Sequence, residues 1–129
     1  MNTARPASLQ VLVLDDDPIN LRIAARLLRD LGHHGALVNE GLKALRLLEQ
    51  RHFDLLMLDV NMPGMNGQEV LDALRQREGG SGRRLPVLVV SGHDDEAIRA
   101  HYLACGADGF LCKPLEPASL CAALADLSS

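Results

Sequence analysis

Tryptophan is absent from this 129-residue chain, tyrosine occurs once and phenylalanine twice. A core without aromatic bulk has to be aliphatic, filled by Leu, Val, Ile and Ala at ordinary interior density. Basic charge is also in short supply. Thirteen Lys and Arg against 17 Asp and Glu leave a net charge of -4. That balance excludes the electrostatic footprint of a DNA- or RNA-binding domain. Cysteine is sparse: Cys105, Cys112 and Cys121 are odd in number, widely spaced and set among apolar neighbours. Neither a disulfide framework nor a zinc motif reads that way. Free, partly buried thiols in a reducing compartment are expected. No apolar run approaches the roughly 18 residues that span a bilayer, and "MNTARPASLQ" lacks the apolar centre of a secretory signal. The expectation is one domain in the cytoplasm without direct membrane contact, even where a longer parent protein is membrane-attached.

What is present alternates. "LQVLVL" (Leu9–Leu14), "GALV" (Gly35–Val38), "FDLLMLDV" (Phe53–Val60), "LPVLVVSG" (Leu85–Gly92) and "DGFLCKP" (Asp108–Pro114) read as strands. The strongest are continuous apolar runs, as in strands covered on both faces. Helical spacing is carried by Ile23, Ala24, Leu27, Leu28 and Leu31, then by Leu42, Leu45 and Leu48, and by Val70, Leu71 and Leu74. It returns in Ile98, Tyr102 and Cys105, with Asp94 or Asp95 as cap, and in Leu120, Leu124 and Leu127. Pro and Gly mark "NMPGMNG" (Asn61–Gly67) and "EGGSGRR" (Glu78–Arg84) as loops. The alternation predicts an α/β fold: a doubly wound five-stranded parallel sheet, (βα)5 and flavodoxin-like, with strand order 2-1-3-4-5. It occupies residues 9–129, behind a short extension over residues 1–8.

In such sheets the working site lies beyond the carboxyl ends of the strands. Asp15 and Asp16 follow strand one, Asp59 ends strand three, Ser91 ends strand four and Lys113 ends strand five. With strands one and three adjacent, three carboxylates share a crevice and require a counter-charge. A hard divalent cation with oxygen ligands supplies it, and Mg²⁺ suits a site of few carboxylates plus water and phosphate. An acceptor carboxylate, a metal, an ammonium and a hydroxyl together suit phosphoryl transfer. Metal and lysine neutralise the equatorial oxygens while the carboxylate attacks in line. Asp17 fits another role, the N-cap of the first helix, with Pro18 at the first helical position.

The segments "VLVLDDDPIN", "FDLLMLDVNMPGMNG", "LPVLVVSG" and "GADGFLCKPL", in this order and spacing, resemble the response-regulator receiver domain of two-component signalling from about Val11 to Leu127. The resemblance implies that Asp59 is the phosphoacceptor. It implies that Asp16, Asp59 and the Asn61 main-chain carbonyl bind Mg²⁺, with Asp15 assisting, often through water. Ser91 and Lys113 would contact the phosphate, and the Lys113–Pro114 peptide would be cis, a form largely confined to X-Pro bonds. The implied partner is a histidine kinase or a histidine phosphotransfer domain. The implied chemistry is acceptance of phosphate and its slow self-hydrolysis, rather than turnover of a diffusible substrate. "DDDPIN", "LLRDLG" and "EGGSGRR" resemble receivers attached to hybrid histidine kinases.

Two departures stand out. Ser91-Gly92 replaces the family's common Thr-Ala, and the aromatic three residues before the lysine is Phe110, which has no hydroxyl. In the implied switch Ser91 moves toward the phosphate and Phe110 fills the space it leaves, its position biased by packing alone. The surface of helix four (about Asp95–Cys105), strand five and helix five (Pro117–Leu127) would change with it.

Two other functions could use the same residues. A phosphatase with an aspartyl nucleophile commonly places a second acid two residues on, where this chain has Asn61. A pseudo-receiver acting as a constitutive interaction module has no need of the full Asp15, Asp16, Asp59 and Lys113 set. The remaining polar residues carry plainer expectations. Asp54 and Asp108 are turn or cap residues. His33, His34, His52, His93 and His101 lie at the surface or its boundary without metal-ligand spacing, His93 nearest the site mouth. Met57, Met62 and Met65 serve packing and loop contacts.

Overall fold

Alternate side chains of a covered strand point to opposite faces, so the apolar runs dictate two separate cores. The computed structural model describes residues 8–60, 67–79, 84–92 and 96–128. Within them the order is β1 (Gln10–Leu14), α1 (Pro18–Asp30), β2 (His34–Val38), α2 (Gly41–Gln50), β3 (Leu55–Asp59), α3 (Gly67–Glu78), β4 (Val87–Ser91), α4 (Glu96–Ala104), β5 (Gly109–Cys112) and α5 (Pro117–Ser128). The strands form one parallel sheet in the order β2-β1-β3-β4-β5, as the sequence predicts.

Leu12, Leu14, Leu56, Leu58, Val87, Val89 and Phe110 face one side, under Ala44 and Leu45 of α2 and Val70, Leu71 and Leu74 of α3. Val11, Val13, Leu55, Met57, Leu88 and Val90 face the other, against Leu21, Ala24 and Leu28 of α1 and Leu120 and Leu124 of α5. Ile98 and Tyr102 of α4, with Cys105 just past its end, add to the first core, all partly exposed, and no residue of α4 is fully buried.

Asp17 caps α1 as expected: its Oδ1 accepts the Ile19 N–H at 2.9 Å, and Pro18 opens the helix. The buried stripe differs from the expected one. It is Leu21, Ala24 and Leu28, and Ile23 is 40% exposed. A single apolar stripe covers the sheet, and Ile23 sits about 100° round the helix from Ala24, outside it. In α2, likewise, Ala44 and Leu45 point inward and Leu42 outward.

Asp54 and Asp108 do more than turn the chain. Asp54 Oδ2 accepts the Gln10 N–H at 2.8 Å while the Asp54 N–H donates to the Gln10 carbonyl at 2.8 Å. Asp108 repeats the arrangement with Val87, also at 2.8 Å in both directions. Each aspartate thus clasps the first turn of its strand to the start of the neighbouring strand. Asp108 is further held by Arg84 and by Arg75, whose guanidinium also donates to the Gly106 carbonyl. His33 is not at the surface: it is 9% exposed, and its Nδ1 accepts the Leu9 N–H at 3.0 Å. Cys105 and Cys112 are partly buried as expected, whereas Cys121 is exposed.

Candidate functional site

The carboxyl ends of β1, β3, β4 and β5 lie side by side, with Leu14 opposite Leu58, Asp59 opposite Val90 and Ser91 opposite Cys112. That register brings Asp15, Asp59, Ser91 and Lys113 to one edge of the sheet. Asp15, Asp59 and Ser91 are buried, Asp59 to 2% exposure, while Asp16 is exposed. One carboxylate oxygen from each of Asp15, Asp16 and Asp59 lies within 4.8 Å of the others.

Lys113 closes the cluster. Its Nζ is 3.0 Å from Asp15 Oδ2 and 3.4 Å from Asp59 Oδ1. Burial acts to lower the Lys113 pKa, but the hydrogen bond to Asp15 and the charges of Asp59 and Asp15 outweigh it. The pKa is raised, and the ammonium stays charged. Its backbone is fixed by a 2.7 Å hydrogen bond from the Lys113 N–H to the Ser91 carbonyl, and the Lys113–Pro114 peptide is cis. Asp15 Oδ1 accepts the Asp17 N–H at 2.9 Å, so the triplet divides its work. Asp15 and Asp16 face the crevice, and Asp17 serves the helix.

The oxygens suit a hard cation. Carboxylate oxygens gathered this closely are the donor type that Mg²⁺ takes, and Asp15, Asp16 and Asp59 are the residues that would hold it. Asn61 lies outside the described residues, as do His93, Asp94, Asp95, Met62 and Met65.

Two neighbours of the site carried little signal in the sequence. Gly67 begins α3 directly against the end of β3. A Cβ there would lie 2.7 Å from Val60 Cα and 2.8 Å from the Asp59 carbonyl oxygen, so only glycine fits. The other is Arg99. Its guanidinium carbon stands 5.0 Å from the centre of the Phe110 ring, which is only 8% exposed. The ring faces inward, and the guanidinium adds a cation–π contact to its packing. A wide hollow of about 810 Å³ opens elsewhere, at the amino ends of β3 and β4 among Phe53, His52, Leu74 and Pro86. It has no part in this chemistry, because the carboxylates lie at the opposite end of the strands.

A doubly wound parallel sheet with buried aspartates at the ends of β1 and β3, closed by a lysine from β5, defines a receiver-type α/β domain. The chain belongs to the response regulator receiver domain family, which matches residues 11–125. It is 40% identical over 126 residues to the sensory/regulatory protein RpfC of Xanthomonas campestris, covering 97% of this chain and 17% of that protein. The chain thus spans about one sixth of this relative. The Vibrio cholerae chemotaxis protein CheY4 superposes with a TM-score of 0.84 at 29% identity, covering 94% of this chain and 99% of that one. The receiver domain of the Arabidopsis thaliana histidine kinase CKI1, solved with Mg²⁺ and BeF3-, superposes with a TM-score of 0.83 at 32% identity, covering 93% of this chain and 89% of that one. This kinship does not favour the phosphatase or pseudo-receiver readings.

Proposed function

We infer that this domain accepts a phosphoryl group on Asp59 from a phosphohistidine of a kinase or phosphotransfer partner in the cytoplasm. The observation that carries the reading is the buried Asp59 carboxylate beside Asp15, Asp16 and the Lys113 ammonium. An Asp59 oxygen attacks phosphorus, the bond to the donor imidazole nitrogen breaks, and its electron pair returns to the ring. Lys113 balances charge on the phosphoryl oxygens, and Ser91 offers a hydroxyl to one of them. Asp16, Asp59 and the Asn61 main-chain carbonyl would hold Mg²⁺, with Asp15 assisting through water. Bound there, the cation neutralises the developing charge. Hydrolysis of the acyl phosphate resets the domain.

The rim of the site supports a macromolecular donor. Ile19 and Ile23, 66% and 40% exposed, project from the first turns of α1 just past Asp16 and Asp17. A protein carrying phosphohistidine in line with Asp59 meets them, and apolar side chains at such a rim suit a transient protein contact.

Intact mass after incubation with acetyl phosphate and Mg²⁺ tests the reading. The wild type should gain one phosphoryl group and Asp59→Asn none. Equal labelling of both proteins would place the acceptor elsewhere.

A further inference from the structure

Away from the phosphoacceptor crevice, three donor atoms meet in the seam between α3 and α4. His101 Nε2 lies 2.9 Å from Gln68 Oε1 and 3.8 Å from Cys105 Sγ. Oxygen, nitrogen and sulfur together are a donor set that a borderline-soft cation takes, and one ion set among them would bind all three. We propose that His101, Cys105 and Gln68 form a second metal site, spanning α3 and α4, for a borderline-soft divalent cation such as Zn²⁺.

The geometry supports it on three counts. Cys105 follows the last residue of α4, and its N–H donates to the His101 carbonyl at 3.0 Å, so the two side chains keep the four-residue helical spacing that places two ligands on one face. Tetrahedral Zn²⁺, with bonds of about 2.0–2.1 Å to nitrogen and 2.3 Å to sulfur, sets those atoms roughly 3.5 Å apart, close to what the seam already holds. The seam is also reachable, since His101 is exposed and Cys105 and Gln68 are only half-buried. An acidic side chain also stands nearby on α3. Asp72 is one turn along α3 from Gln68, which places its charge on the same side of that helix.

Three protein ligands leave one position open, the composition of an accessible site rather than a closed structural one. The two sites separate by hardness. Carboxylate oxygens take Mg²⁺, whereas thiolate and imidazole select a zinc-like ion. Occupancy would brace α4, which has no fully buried residue, against α3.

Co²⁺ titrated into the full chain tests the site by its absorption. The expected result is a sulfur-to-cobalt charge-transfer band with the intense visible bands of four-coordination, bleached by Zn²⁺ and untouched by Mg²⁺. Cys105→Ser should abolish the band. His101→Gln should weaken Zn²⁺ binding by at least about 10–100-fold, the loss that even outer-shell changes produce. The Asp15→Asn/Asp59→Asn double variant should keep the band, which separates this site from the acidic crevice. Alkylation of Cys105 in a Cys112→Ser/Cys121→Ser background, read by intact mass, should slow when Zn²⁺ is added. Absence of a thiolate band, or a band that survives Cys105→Ser, overturns the proposal.

Discussion

The Lys113 ammonium stands 3.0 Å from Asp15, nearer than to Asp59, the proposed phosphoacceptor. In this arrangement the lysine compensates the carboxylate that a metal would otherwise balance. Lys113→Ala should therefore destabilise the metal-free fold by about 3 kcal/mol or less, the low end for breaking a buried pair, because the lysine side chain keeps 21% exposure. Mg²⁺ should recover part of that loss, so the rise in Tm on adding it should be larger in Lys113→Ala than in wild type. Equal rises in the two proteins would show that lysine and metal do not share the carboxylates.

Gly67 offers a test of how tightly the acceptor is held. With Val60 Cα and the Asp59 carbonyl oxygen both inside 3 Å of a added Cβ, Gly67→Ala must push α3 away from β3. Urea unfolding should show a loss of about 1–3 kcal/mol, the usual cost of overpacking. Phosphorylation at Asp59 should slow as well, because the displaced backbone is the acceptor's own. A variant as stable and as reactive as wild type would mean the contact relaxes freely.

Arg99 should bias Phe110 inward. Arg99→Gln removes the guanidinium from the ring face and should cost about 0.5–1 kcal/mol. Amide hydrogen exchange along β5 should quicken, and Phe110 should populate outward positions more. Unchanged exchange at Gly109–Cys112 would return the ring's bias to packing alone.

His33 gives a pH dependence with a definite sign. Burial, and then the charge of His34, hold its pKa below the usual 6.5. The unfolded chain therefore binds a proton before the folded one does. The contribution of neutral His33 is complete above about pH 6.5 and is lost as pH falls from there through the lower folded value. Protonation of Nδ1 would also set a donor against the Leu9 N–H. His33→Asn keeps an acceptor and removes the titration, so its unfolding free energy should fall less steeply over that window. Parallel pH profiles for the two proteins would rule out His33 as the source.

The strand runs and the acids at their ends were legible because each depends on local pattern: a buried parallel strand must be apolar throughout, and chemistry collects at its carboxyl end. Asp17 was legible as a cap because Pro18 follows it. The inward face of α1 was not, since neighbouring aliphatics allow two overlapping stripes and only docking on the sheet selects Leu21 over Ile23. Gly67, Arg99 and His33 escaped for a related reason. Each acts on a partner set by tertiary structure: Val60 just past the end of β3, Phe110 on another element, Leu9 more than twenty residues away.

The clasps made by Asp54 and Asp108 give the sheet a pivot line. They fasten the amino ends of β1 to β3 and of β4 to β5, whereas Lys113 rides the opposite end of β5. Five residues of extended chain from Asp108 make a lever arm of about 17 Å at roughly 3.3 Å per residue. Swinging that arm by only about 3° carries its tip through roughly 1 Å. So small a tilt leaves the hydrogen bonds at the fulcrum within ordinary geometry, and because the Lys113 N–H is bonded to the Ser91 carbonyl, Ser91 and Lys113 would move toward an arriving phosphoryl group together.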